Sequence, residues 1–190
     1  MGKEWNHVFH ESNLVYKLFD ADVRGYLAMA ENQQILKWLD DSLYLAQEVK
    51  SYHSIAGAII AYYDYSFIIT PAFKALEKWI LIIAPHLGVS ENMIKDAEDY
   101  GKFSTFLNDE AIEKIFKKVV KQLDIKAEEK KTLRASMHAL SAYLKNLRHT
   151  PAHCATIVES NEKAENTVRQ IIGAINDLTA NLLRDGVLQK

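Results

Sequence analysis

Residues 148–184 read RHTPAHCATIVESNEKAENTVRQIIGAINDLTANLLR, and this run sets the architecture. Ile157, Val158, Ala164, Val168, Ile171, Ile172, Ile175, Leu178 and Leu182 recur at helical spacing, which predicts a helical region from Pro151 to about Arg184. A break is expected at Ser160-Asn161, and Gly186 supplies the stop. At the head of the run Thr150 suits an N-cap, Pro151 suits the first helical position, and His153 falls in the first turn. Free backbone N–H groups and the positive end of the helix dipole attract anions there. The preceding residues, Lys126 to about Leu147, carry Leu133, Met137, Leu140, Tyr143, Leu144 and Leu147 on one face. The two helices predict an antiparallel hairpin whose tight turn is Arg148-His149-Thr150-Pro151-Ala152-His153, mounted on a rigid apolar platform.

The rest of the chain reads as helix too. From Asp22 to about Gln47 apolar residues keep a helical spacing with one slip of phase, which places a bend or break near Asp40-Asp41. A second region is expected from about Ser51 to Phe67. Thr70-Pro71 then offers an N-cap and an N1 proline for a helix ending at Ala84, so Pro71 either kinks one long helix or starts a new one. Pro85 to Asn108 is connector, with Ser90 capping a helix of one or two turns and Gly101 breaking it. Asn108 caps the next helix, in which Ile112, Ile115, Phe116, Val119, Val120 and Leu123 form the apolar stripe. No stretch alternates with the period of a strand. The expected fold is an all-α antiparallel bundle without a sheet, one domain over 1–190, with N-terminal helices in 1–50 and the core bundle in 51–186.

Composition narrows the function classes. At 190 residues, 48% hydrophobic and 25% charged, the chain is long and apolar enough for one real core. A formal net charge of -2 gives no global basic field for coating nucleic acid, so RNA binding would rest on a local patch and no DNA partner is expected. Cys154 is the only cysteine, which excludes an intramolecular disulfide and a cysteine-based zinc site. With a charged Met1–His10 stretch that lacks an apolar signal core, this points to the cytoplasm. The apolar stretch Ser54–Pro85 is interrupted by Asp64, Lys74, Glu77 and Lys78, short of the roughly 20 residues a membrane span needs. It is read as buried core helix, with no membrane partner.

Arg148, the polar His149 beside it, and His153 with four residues between it and Arg148, set on a turn between two helices, resemble the signature of the HEPN superfamily. That signature is an Arg, four to six residues, and a His. The chain looks most like the nuclease domain of RNase LS-type bacterial toxins, which carry a basic residue and a Glu three apart on an earlier helix. Lys74 and Glu77 occupy those places here, with Lys where the family usually has Arg. The resemblance covers roughly Ser51–Arg184. It implies a HEPN-like bundle and a metal-independent endoribonuclease, the toxin of a toxin-antitoxin or phage-defence pair. It further implies no cofactor, an RNA substrate, a homodimer with a composite site, and a protein antitoxin that covers Arg148 and His153.

The residue types fit that chemistry. Cleavage by the 2′-hydroxyl needs a base, a cation for the charge on the phosphorane, and a proton for the leaving 5′-oxygen. A helix N-terminus disfavours imidazolium, which suits His153 as base, and Arg148 can hold the phosphate through charge-assisted hydrogen bonds. Glu77 would orient Arg148 or the second imidazole, while Lys74 and His149 would contact phosphate or support the site. One His does not serve as base and acid in one turnover, which is why two copies are expected in one cleft. The bland reading stays open: a solvated turn whose His caps a helix, with Lys74, Glu77 and Lys78 as a solvated face. His149 and His153 have the spacing of helical metal ligands, yet no third ligand is evident and no metal site is predicted. The Tyr62-Tyr63-Asp64-Tyr65 run suits packing more than base stacking, and His53, His86 and His138 are unassigned. The alternative from another class is a silent HEPN module that docks a protein partner such as a nucleotidyltransferase domain.

Overall fold

The most apolar stretch of the chain becomes its central helix. The computed structural model describes residues 14–55, 64–103, 105, 108–122, 126–143 and 157–189. Over these the protein is all-α: a short 3-10 turn at Val15–Leu18 leads into α1 (Ala21–Leu27), α2 (Gln33–Ile55), α3 (Ser66–Ile83), α4 (Glu91–Tyr100), α5 (Asp109–Gln122), α6 (Ala127–Tyr143) and α7 (Asn161–Arg184), with no strand among the described residues. In α3, Ile68, Ile69, Ala72, Ala75, Leu76, Trp79, Ile80 and Ile83 are all buried. No helix among the described residues is long and apolar enough to cross a membrane.

Long-range hydrogen bonds fix how the helices run. Tyr65 donates its N–H to the Val158 carbonyl (3.0 Å), and fourteen residues on Trp79 Nε1 donates to Thr179 Oγ1 (3.0 Å), so α3 and α7 are parallel. The Asn161 amide at the start of α7 donates to the Ala46 carbonyl of α2 (2.9 Å), while Ser42, one turn earlier in α2, meets Ala72 further along α3 (2.9 Å), so α2 runs antiparallel to α3 and α7. Asn181 Nδ2 donates to Ser136 Oγ (2.6 Å), while Ala139 shares a groove with Gly173 and Ala174. The helices α6 and α7 therefore pack antiparallel, the pairing the hairpin reading expects. At the other end Asp20 and Asn176 exchange hydrogen bonds of 2.9 and 3.0 Å, which ties α1 to α7.

Several boundaries differ from the sequence expectation, each for a local reason. The break falls at Ala28–Asn32, not at Asp40-Asp41, and α2 continues through both aspartates to Ile55. Asn32 closes that break by donating its side-chain amide to the Tyr26 carbonyl (2.8 Å) and its backbone N–H to Met29 (2.9 Å). This rephases the stripe: Ile35, Leu36, Leu39, Leu43, Ala46 and Val49 are buried, while Trp38 and Leu45 lie at its edge. No single helix spans Ser51–Phe67, because Asp64 and Tyr65 are non-helical and α3 starts at Ser66. Pro71 thus lies inside a helix that began five residues earlier. Buried Ser42 of α2 compensates nearby, its hydroxyl accepting the Ala72 N–H (2.9 Å).

Other boundaries follow the expectation. Asn108 Oδ1 accepts the Ala111 N–H (2.9 Å) to cap α5, and Gly101 ends α4 at φ 65, although α4 runs ten residues, longer than expected. Gly186 sits at φ 71 just beyond α7 and lets Val187 and Leu188 return their N–H groups to Leu182. The final helix itself is shorter than the expected Pro151–Arg184 region. Ile157–Ser160 are non-helical, and Ser160 caps α7 by accepting the Lys163 N–H (3.2 Å). The Pro151 start lies outside the described residues.

Candidate functional site

α3 carries the described part of the predicted site. Its buried residues gather on one side, and Lys74 falls on the opposite, exposed side, with half-buried Glu77 one turn on. A helix of this burial holds both at a fixed height along the bundle. Arg148, His149 and His153 belong to the connection between α6 and α7, and all three lie outside the described residues, as does Cys154. The helices on either side of that connection, Ala127–Tyr143 and Asn161–Arg184, pack against each other.

The described end of the connection is anchored to α3 by a clip that the sequence reading missed. Asp64 Oδ1 accepts the Ser66 N–H (2.9 Å) and the Val158 N–H (3.1 Å), and Oδ2 accepts the Ser66 hydroxyl (2.8 Å). With Tyr65 N–H donating to the Val158 carbonyl, the backbone three residues before α7 is joined to the first turn of α3. The Ser66 hydroxyl above all, then the Ser66 and Val158 amides, hold the Asp64 carboxyl below its ordinary value. The missed signal was Asp64-Tyr65-Ser66 itself, since an Asp two residues ahead of a Ser often accepts its N–H and turns the chain before a helix.

A second polar cluster, also unassigned from sequence, joins α5 to α6. Glu113 Oε1 accepts from Arg134 Nε (2.7 Å) and lies 2.7 Å from His138 Nε2, while His138 Nδ1 is 3.6 Å from Asp109 Oδ1. Arg134 first, then His138, hold the Glu113 carboxyl below its ordinary value. An ionised carboxylate only accepts, so Nε2 is the protonated ring nitrogen facing Glu113. Carboxylates face both ring nitrogens, which makes this a surface tie between helices and a poor place for an anionic substrate.

Among the described residues no three His, Cys, Asp or Glu side chains gather as a metal site. A groove of about 350 Å³ between α6 and α7 is lined chiefly by small residues, Ala135, Ser136, Ala139, Gly173 and Ala174, and includes none of the predicted site residues. No protein-family model, no curated protein and no solved structure matches the chain.

Proposed function

We propose that the protein is a metal-independent endoribonuclease of the HEPN type, in which Arg148 and His153 act on the phosphodiester. The observation that carries this reading is the place of the Arg-x4-His motif, in the connection between two helices that pack antiparallel within an all-α fold. Exposed Lys74 and half-buried Glu77 on α3 agree with it as outlying contacts. In the reaction His153 removes the 2′-hydroxyl proton and the 2′-oxygen attacks phosphorus. The bond to the 5′-oxygen breaks, and that oxygen takes a proton from a second imidazole. The products are a 2′,3′-cyclic phosphate and a free 5′-hydroxyl. Arg148 neutralises the charge on the phosphorane, and its planar fork suits two phosphate oxygens.

A homodimer would bring two copies of the motif into one cleft, so activity per chain should fall on dilution below the dimer dissociation constant. Such an enzyme acts as a toxin held in check by a protein antitoxin. The test is incubation with total RNA in excess chelator. Wild type should cleave, and His153→Ala and Arg148→Ala should each lose about 10²-fold or more in rate while keeping their melting temperature. Equal cleavage by all three, or none by wild type, would replace this reading with a silent module that docks a protein partner.

A further inference from the structure

We propose that the hairpin of α5 and α6 carries a docking surface for the phosphate backbone of single-stranded RNA, at the end where α5 finishes and α6 begins. The choice of RNA among polyanions rests on the ribonuclease reading above, while the surface itself follows from charge and register. Residues 117–134 hold seven Lys and Arg against three Asp and Glu, in a chain whose formal net charge is -2. Within α5, Lys114, Lys117, Lys118 and Lys121 recur at the spacing of one helix face, and all four are exposed. Across the hairpin, Arg134 meets Glu113 at 2.7 Å and His138 Nδ1 lies 3.6 Å from Asp109, so α5 and α6 run antiparallel. Continued by one and two turns, that register sets Lys117 beside Lys130 and Lys121 beside Lys126.

Little carboxylate charge offsets these lysines. Glu110 takes up Lys114 (2.7 Å) and Glu113 takes up Arg134, whereas Lys117, Lys121, Lys126, Lys130 and Lys131 make no ion pair among the described residues. At the head of α6 the Glu129 carboxylate is turned onto the Lys126 backbone N–H (2.7 Å), and Lys118 Nζ donates to the Gly88 carbonyl (2.9 Å). Lys121 complements the dipole at the end of α5, but Lys126 and Lys130 stand at the positive end of the α6 dipole, and like charges face each other across the hairpin. This crowding works against folding, and a polyanion would relieve it.

The character of the face selects among anionic partners. None of the large exposed apolar side chains among the described residues lies on α5 or α6, where Ile112, Val119, Leu133 and Met137 are buried. A protein interface is anchored by desolvated aromatic or apolar side chains, and a helix lying on a membrane inserts an apolar face. Lysines on two adjacent helices offer neither. They suit a row of phosphates, held with steep salt dependence and little base preference.

The test measures binding of the full chain to a fluorescent 2′-O-methyl RNA oligomer, which lacks the nucleophile needed for cleavage, by anisotropy over a range of salt. A Lys117→Gln/Lys121→Gln/Lys130→Gln/Lys131→Gln protein is compared with wild type and with a control of equal charge, Lys17→Gln/Lys37→Gln/Lys50→Gln/Lys95→Gln, whose four lysines are exposed elsewhere. Loss of four phosphate contacts should weaken binding about tenfold or more at low salt and flatten the slope of log K against log salt by about 2–3. The control should bind like wild type. With repulsion removed, the hairpin variant should melt no lower than wild type. Lys117→Gln/Lys130→Gln should lose about half as much slope, and it keeps the test open if the fourfold variant folds poorly.

Equal weakening in the hairpin variant and the control would trace the effect to net charge and overturn the proposal. Wild-type affinity in the hairpin variant would overturn it too, as would a wild type that leaves the oligomer unbound, whether or not it captures vesicles of equal phosphatidylserine and phosphatidylcholine. Cleavage is read separately, on unmodified RNA in chelator: binding without cleavage would end the ribonuclease reading and leave the docking surface standing.

Discussion

Trp79 is among the largest fully buried side chains, and its indole N–H has one acceptor given by the fold, the Thr179 hydroxyl at 3.0 Å. Removing either partner strands the other in an apolar surround, and a buried unsatisfied group costs about 1–3 kcal/mol. Trp79→Phe and Thr179→Val should each destabilise by about that amount, the first with an added loss of packing. The double variant should cost less than the sum, because no donor or acceptor is then left unpaired. Urea midpoints of the four proteins check this, and strict additivity would show that the bond contributes nothing specific. The same reasoning separates the residues read correctly from those missed. Lys74 was legible as exposed because charge on an apolar helix points outward. Asp64 and His138 were not, because their partners, Val158 and Glu113, are distant in sequence.

Among the helices, α3 shows how a neighbour repairs a local fault. Pro71 has no N–H and crowds the carbonyl one turn back, which weakens the helical ladder around it. Ser42 reaches from α2 to accept the Ala72 N–H, and both residues are fully buried. Ser42→Ala should therefore destabilise by about 1–3 kcal/mol, far more than a Ser→Ala change on an exposed helix face. Thermal or urea denaturation measures this, and a neutral result would mean that α3 carries the proline without help. The proline was visible in the sequence as helix punctuation. Its meaning was not, because Thr70-Pro71 also looks like the beginning of a helix. Only the Asp64 turn, six residues ahead of Thr70 and closed partly by Val158, shows where α3 starts.

For the whole molecule, the lowered carboxyl pKa values set an acid limit. Asp64 and Glu113 have native values below their unfolded ones, so over that interval the unfolded chain binds more protons than the native one. Their contribution is complete above the unfolded carboxyl range, about pH 4–4.5, and is lost as pH falls through the lower native values. Melting temperature should decline below about pH 4.5, and the decline should be shallower in an Asp64→Ala/Glu113→Gln protein. Both ties join separate helices, Asp64 holding α3 to the segment before α7 and Glu113 holding α5 to α6. Parallel acid limbs in the two proteins would show that neither tie contributes to acid stability. Exposed local ion pairs, Glu110 with Lys114 inside α5 and Glu159 with Lys163 across the start of α7, should matter little, since water and salt screen them.

The all-α class, the cap at Asn108, the helix boundary at Ser160-Asn161, the stops at Gly101 and Gly186, and the pairing of α6 with α7 were determined by the sequence alone. Hydrophobic period, cap chemistry and glycine conformation act over a few residues, and the chain spells them out locally. Other features were decided only by tertiary structure: the parallel course of α3 and α7, the uninterrupted run of α2 past Asp40-Asp41, the placement of Pro71 inside α3, and the joining of Asp64 to Val158. Each depends on groups tens of residues apart meeting in space. Local propensity is a weak bias that such contacts override when they bury apolar surface or complete a hydrogen bond.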